Sequence, residues 1–129
     1  MSLRSPLGRV LGRGAAHEGV SEWWTQRVTA VALVPLTLWF LFSILALPAL
    51  DHATVVEWMQ GGWTTVLLVL FVVTAAWHSQ LGVRVVIEDY VHAPGAKTAL
   101  LILVTFAHVL LGAAGVFAVL RIAFGGAAA

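Results

Sequence analysis

The chain of 129 residues is 60% hydrophobic and 10% charged, with a mean hydropathy of +0.96, against roughly 25% charged residues in a soluble domain. A net charge of +1 argues against nucleic-acid binding, and the absence of cysteine excludes disulfides, thiolate metal sites, chain-borne iron–sulfur clusters and a cysteine nucleophile. Histidine is left as the strong soft-metal ligand, and the bilayer is the expected solvent.

The fold class is therefore all-α integral membrane, with three transmembrane helices. Residues 1–22 read as a cytosolic arm. The stretch MSLRSPLGRVLGRGAAHEGV, residues 1–20, is rich in Gly and Arg and lacks the continuous apolar core of a cleavable secretory signal. Its first sixteen residues hold arginines and no acids, as organellar targeting segments do. A single membrane domain is expected over residues 23–124, with spans at about 28–50, 64–87 and 98–121 and a tail at 125–129.

The first apolar segment, Val28 to Leu50, is near the ~20 residues a helix needs to cross a hydrocarbon core. Trp23 and Trp24 before it, and Trp58 and Trp63 before the second segment, suit an interfacial belt. Pro35 removes one backbone donor inside the helix, which is tolerated where neighbouring helices re-satisfy the freed groups. Arg4, Arg9, Arg13 and Arg27 precede this span, whereas the Asp51 to Gly62 connection carries Asp51 and Glu57 and no Lys or Arg. That asymmetry predicts the N-terminus in the cytoplasm and the C-terminus in the periplasm. Arg84 and Lys97 then also lie inside, and Arg121 is the one discordant charge.

No Asp, Glu, Lys or Arg occurs between Val28 and Leu50, Thr64 and Val83, or Thr98 and Leu120; the ionisable side chains at depth are His78 and His108. An ion-coupled transporter usually needs a buried carboxylate or charged relay, so this pattern argues against one. His78 lies ~15 Å of helical rise from the inner end of the second span. Its plain role is a hydrogen bond to a neighbouring helix. Gly82, four residues on, favours a second role, because it removes a side chain where a flat macrocycle would lie against the helix. The Thr74 carbonyl, or a partner group, is expected to accept one ring N–H and leave the other nitrogen for iron.

At the end of this span stand Arg84, Glu88, Asp89, Tyr90 and His92. Acids at a helix C-terminus oppose the macrodipole. Pairing with Arg84 at i−4 accounts for Glu88, and His92-Ala93-Pro94-Gly95 reads as a turn, which leaves Asp89 and Tyr90 to be explained. Eleven residues separate Asp89 from His78, about three turns, so a continuous helix places both on one line ~16 Å apart, with Tyr90 turned away by a third of a circle. A tyrosine hydroxyl can donate to a ligand carbonyl and a carboxylate can orient a cation or move protons; a quinone suits that chemistry. In the third span, Gly112 and Gly115 with Ala113, Ala114 and Ala118 predict a small-residue contact face. His108 lies at a depth similar to His78, so an iron held by both within one chain is an alternative. His17, His52 and His92 fall in arm or loop positions.

The histidine followed by glycine at i+4 and by Asp-Tyr at i+11 and i+12, together with WWTQRVTAVALVPL from Trp23 to Leu36 and its Gln-Arg-x-Thr-Ala core, resembles the smaller of the two hydrophobic membrane anchors of alphaproteobacterial succinate dehydrogenase, respiratory complex II. With three spans, the resemblance covers nearly the whole chain. It implies that His78 is one axial ligand of a b-type haem, with Gly82 beside the ring and the opposite ligand from the larger cytochrome b anchor. The two anchors would pack into one haem-binding helical bundle. Tyr90 would hydrogen-bond the head group of a quinone, expected to be ubiquinone, and Asp89 would support that pocket. Arg27 is a weaker candidate for a haem propionate contact, its other role being a snorkelling topology determinant.

The resemblance further implies an iron–sulfur subunit and a flavoprotein subunit as partners, a trimer of heterotetramers as one possible assembly, and a bacterial inner membrane as the location, with the mitochondrial inner membrane as the alternative. The chain has no dinucleotide-binding fold of its own for succinate chemistry. Other classes are a haem-free structural or assembly protein, a proton-coupled transporter titrating His78 or His108, and the anchor of a fumarate reductase.

Overall fold

A computed structural model describes residues 16–125, with side chains from residue 20. Arg4, Arg9, Arg13 and all but the first residue of the predicted tail lie outside the described residues, as does the side chain of His17. Among the described residues four helices follow in order: α1 (Ala16–Leu45), α2 (His52–Gln60), α3 (Gly62–Tyr90) and α4 (Pro94–Phe124). Three are long and apolar enough to cross a membrane, over Val20–Leu45, Gly62–Tyr90 and Pro94–Phe124.

The boundaries of the first span differ from expectation at both ends. α1 already includes Ala16 and runs unbroken through Pro35, so Trp23 and Trp24 belong to the helix and not to an approach to it. Its 30 residues extend roughly 45 Å against a hydrocarbon core of about 30 Å, so it is longer than an upright crossing needs. It stops at Leu45, where the Leu47 N–H closes a turn on the Ile44 carbonyl and Pro48 follows, a residue that disfavours helix in the one before it.

The connection after α1 holds a helix that the apolar-run reading missed. Asp51 caps α2: one carboxylate oxygen accepts from the Thr54 N–H at 3.0 Å and the other from the Thr54 hydroxyl at 2.9 Å. These bonds hold the Asp51 carboxyl below its ordinary pKa, the Thr54 backbone N–H being the largest cause. Trp58, expected in an interfacial belt, stacks on Trp39 of α1 with centroids 6.0 Å apart and leans on Phe40 at 6.1 Å. Phe40 stacks in turn on Phe71 of α3 at 5.4 Å. Aromatic pairs therefore fasten α2 to α1, and α1 to α3. A single residue, Gly61, both ends α2 and begins α3.

α3 occupies the middle of the molecule. Both α1 and α4 pack against it, and α1 and α4 show no close backbone approach to each other among the described residues. The α3–α4 contact uses the expected small residues: a Cβ built on Gly112 would meet Ala76 Cβ at 3.4 Å, and one on Gly115 would meet Val72 Cγ1 at 2.7 Å. The glycines thus let the backbones approach, as membrane helices require when no hydrophobic force drives them together. Buried apolar residues are few, namely Leu68, Leu81, Ile87 and Val119. Large apolar faces remain outward for lipid or protein.

At its C-terminal end α3 runs to Tyr90, and Lys97 of α4 donates from Nζ to the Glu88 carbonyl at 2.8 Å. An ammonium on the last carbonyls is the charge the macrodipole favours, and it offsets the acids there. Arg84 bonds Glu88 at 2.8 Å, as its i−4 spacing predicts, and also Glu22 of α1 at 2.8 Å. The second bond ties α1 to α3.

Candidate functional site

The polar side chains of α1 that meet α3 form a stripe. Glu22, Gln26 and Thr29 recur at i, i+4 and i+7, one face of a helix. Opposite them on α3 lie Arg84, Gly82 and His78: Glu22 pairs with Arg84, the Gln26 amide nitrogen stands 3.8 Å from where a Gly82 Cβ would be, and the Thr29 hydroxyl stands 3.0 Å from His78 Nδ1. A cleft of 210 Å³ between the two helices is lined by Glu22, Trp23, Gln26, Leu81, Arg84 and Val85.

His78 is half-buried. The expected Thr74 carbonyl does not serve its ring; the partner is Thr29 of α1, which is 6% exposed and also reaches the Thr25 and Gln26 carbonyls at 2.9 and 3.1 Å. His78 Nε2 has no hydrogen-bond partner among the described residues. Among the described residues one buried side-chain atom is also left without a partner, Gln26 Oε1. Gly82 is not demanded by packing within this chain, because a Cβ there would make only ordinary contact with Gln26.

His108 is held differently. Its Nδ1 donates to the Val104 carbonyl one turn earlier at 2.8 Å, so its Nε2 is the acceptor of the Ser79 hydroxyl at 3.2 Å. Both ring nitrogens are engaged. His78 turns toward α1, whereas His108 reaches α3 from α4, next to a second polar contact from Gln80 to Thr105 at 3.2 Å. The two imidazoles thus take different partners, Thr29 of α1 for His78 and Ser79 of α3 for His108. Among the described residues no group of three or more His, Asp or Glu side chains could hold a metal ion.

Continuity of α3 places Asp89 on the line of His78, three turns on. Asp89 is exposed, and Tyr90 is 79% exposed with no bond to its hydroxyl among the described residues. His92 folds back, its Nδ1 donating to the Tyr90 carbonyl at 3.1 Å. Arg27 is exposed, with its guanidinium carbon 5.3 Å from the centroid of the Trp23 ring four residues earlier. That cation–π contact holds it along its own helix. Sequence reasoning gave no site role to Glu22, Gln26 and Thr29, although the last two stand in the Gln-Arg-x-Thr-Ala core. Their signal was available: three polar residues at helical spacing leading into an apolar run.

Three membrane-length helices, with a half-buried imidazole in the middle one and exposed Asp-Tyr at its end, define a small multi-span membrane protein. Residues 1–112 match the family model for the succinate dehydrogenase/fumarate reductase transmembrane subunit, and the chain belongs to that family. It is 31% identical over 121 residues to the succinate dehydrogenase hydrophobic membrane anchor subunit of Paracoccus denitrificans, covering 94% of this chain and 93% of the relative. It is 31% identical over 107 residues to the same subunit of Rickettsia bellii, covering 83% and 86%. The succinate dehydrogenase membrane anchor subunit of Reclinomonas americana is 34% identical over 83 residues, covering 62% and 68%.

Proposed function

We propose that the protein is a membrane anchor of succinate dehydrogenase that contributes one haem ligand and one wall of a quinone site. Anchoring follows from the family and from three apolar helices whose large outward faces need lipid or protein partners. The partners are a larger cytochrome b anchor, an iron–sulfur subunit and a flavoprotein subunit, in a bacterial cytoplasmic membrane with the N-terminus inside. The relatives named above are succinate dehydrogenase anchors, which favours succinate oxidation over fumarate reduction.

The observation that carries the cofactor reading is His78: its Nδ1 is held by Thr29, while Nε2 has no partner among the described residues. Gly82 one turn away is not required by this chain's own packing. An imidazole with one nitrogen tethered and the other open, beside a helix face with no side chain, fits a haem ligand. A bound b-type haem, ligated also by the partner anchor, would supply one-electron storage or tuning on the path to quinone. His78 would give its Nε2 lone pair to the iron, Gly82 would let the ring lie close, and Arg27 is the weak candidate for a propionate. Tyr90, with its hydroxyl outward at the end of α3, would donate to a quinone carbonyl, and Asp89 beside it would orient a cation of a neighbouring subunit.

The test is a reduced-minus-oxidised spectrum of membranes carrying the assembled complex, as wild type, His78→Ala and His108→Ala. Loss or shift of the b-type band in His78→Ala alone is expected. No band in the wild type, or an unchanged band in His78→Ala, would refute the haem assignment. Tyr90→Phe should slow quinone reduction and leave the band in place; unchanged quinone kinetics would remove Tyr90 from the pocket.

A further inference from the structure

We infer that Thr29 is a positioning residue for His78, selecting the tautomer that leaves Nε2 open and tuning the potential of the iron it would bind; this rests on the reading of His78 as a haem ligand. Thr29 Oγ1 has three polar neighbours: the Thr25 carbonyl at 2.9 Å, the Gln26 carbonyl at 3.1 Å and His78 Nδ1 at 3.0 Å. A hydroxyl carries one proton and two lone pairs. The two carbonyl oxygens have no proton to offer, so an oxygen–oxygen approach of 2.9 Å commits the hydroxyl proton to them. What remains for His78 is a lone pair, so Nδ1 must be the donor. A neutral imidazole protonated at Nδ1 has its lone pair at Nε2, the nitrogen without a partner among the described residues.

His108 is the control built into the same chain. It also donates from Nδ1, but to the carbonyl one turn back on its own helix, and its Nε2 is consumed by Ser79. His78 instead looks across to another helix. The ring orientation is thereby tied to the α1–α3 contact, and the hydroxyl's bonding to the Thr25 and Gln26 carbonyls keeps the acceptor in place. Because Thr29 donates onward to a carbonyl, the chain of bonds polarises its oxygen and makes it a better acceptor. The effect on the ligand is to raise its basicity, which favours the more positive, oxidised iron.

The experiment uses the assembled complex in its membrane with Thr29→Val, which keeps the shape and removes the acceptor, and Thr29→Ser, which restores it. Haem content, the electron paramagnetic resonance spectrum and a redox titration are read for each. Loss of a second bond to a metal-bound histidine typically weakens the site about ten- to a hundredfold. A tenfold loss confined to the oxidised form raises a one-electron potential by about 59 mV, and that is the shift expected in Thr29→Val, with Thr29→Ser returning to the wild-type potential and spectrum. Loss of haem in Thr29→Val with retention in Thr29→Ser supports the same assignment. Wild-type potential and spectrum in Thr29→Val, or equal loss of haem in both variants, would give Thr29 a packing role only and overturn the inference while leaving His78 as ligand. A wild type without haem, or a His78→Ala complex that keeps its band, would instead overturn the underlying reading.

Discussion

Replacing Gly82 by alanine separates packing from cofactor binding, because the two should respond with opposite signs. Gly82 lies in the interior of α3, where glycine costs a helix roughly 0.5–1 kcal/mol relative to alanine. The new methyl would find a single near neighbour, the Gln26 amide nitrogen at 3.8 Å, an ordinary van der Waals distance. The chain itself therefore has no reason to resist the change, and α3 should gain up to about 1 kcal/mol. A macrocycle lying against Gly82 would meet the methyl directly, and one fully lost methylene-sized contact is worth about 0.8 kcal/mol, before any displacement of the iron from His78. The expected result is a complex that unfolds at equal or higher temperature while its haem content falls. Both are read on one preparation, by thermal unfolding in detergent and by the haem absorbance per mole of protein. Unchanged haem content would remove Gly82 from the haem cradle. A drop in stability with haem retained would show that the Gln26–Gly82 contact is tighter than its geometry states.

Three further outcomes follow from other parts of the fold. Gly115→Ala drives a methyl to 2.7 Å from Val72 Cγ1, whereas Gly112→Ala reaches only 3.4 Å from Ala76 Cβ; the first should cost about 1–3 kcal/mol and be relieved by Val72→Ala, the second should be near neutral, and equal costs would refute the α3–α4 register. His108→Leu should leave the haem band intact and share with Ser79→Ala a coupling of about 0.6 kcal/mol in a double-mutant cycle, the usual size of a hydrogen bond between membrane helices; loss of the band would return His108 to the iron. Asp51 has its pKa lowered in the folded chain by the Thr54 N–H, so its contribution to α2 is present above the unfolded value and is lost as pH falls through the folded one. The protection factor of the Thr54 amide, its exchange rate relative to that of an unstructured amide at the same pH, should fall below about pH 4 and stay level across that range in Asp51→Asn; protection that persists unchanged in acid would refute the cap.

Much of this protein was legible in its sequence because the bilayer imposes simple rules. Three apolar runs free of charge must be helices, since no other open segment satisfies its backbone in lipid. Gly112 and Gly115 could be read as a contact face for the same reason: small residues are what membrane helices use to approach. His78 with Gly82, and Asp89 three turns on, required only the helical repeat, and α3 is indeed continuous across them. Glu88 was explained by Arg84 four residues earlier, and the bond is there. All of these are one-dimensional facts, set by the spacing of residues within a single helix.

What the sequence could not supply was the identity of the neighbour across each helix gap. Periodicity gives the faces of a helix but not which face meets which, so Arg84 pairing with Glu22, and Trp58 stacking on Trp39, appear only once α1 is docked against α2 and α3. The short α2 escaped because nine residues of mixed polarity carry no membrane signal, although Asp51 is a good N-cap. The two histidines are the sharpest case. Residue counts put them at similar depths, and periodicity alone does not say what either ring meets. The packing of the helices does: with α1 and α4 both against α3, His78 turns to a threonine that leaves its Nε2 open, and His108 turns to a serine that fills it. Depth came from the count of residues, whereas the chemistry available to each ring was decided by the hydroxyl it meets across the contact.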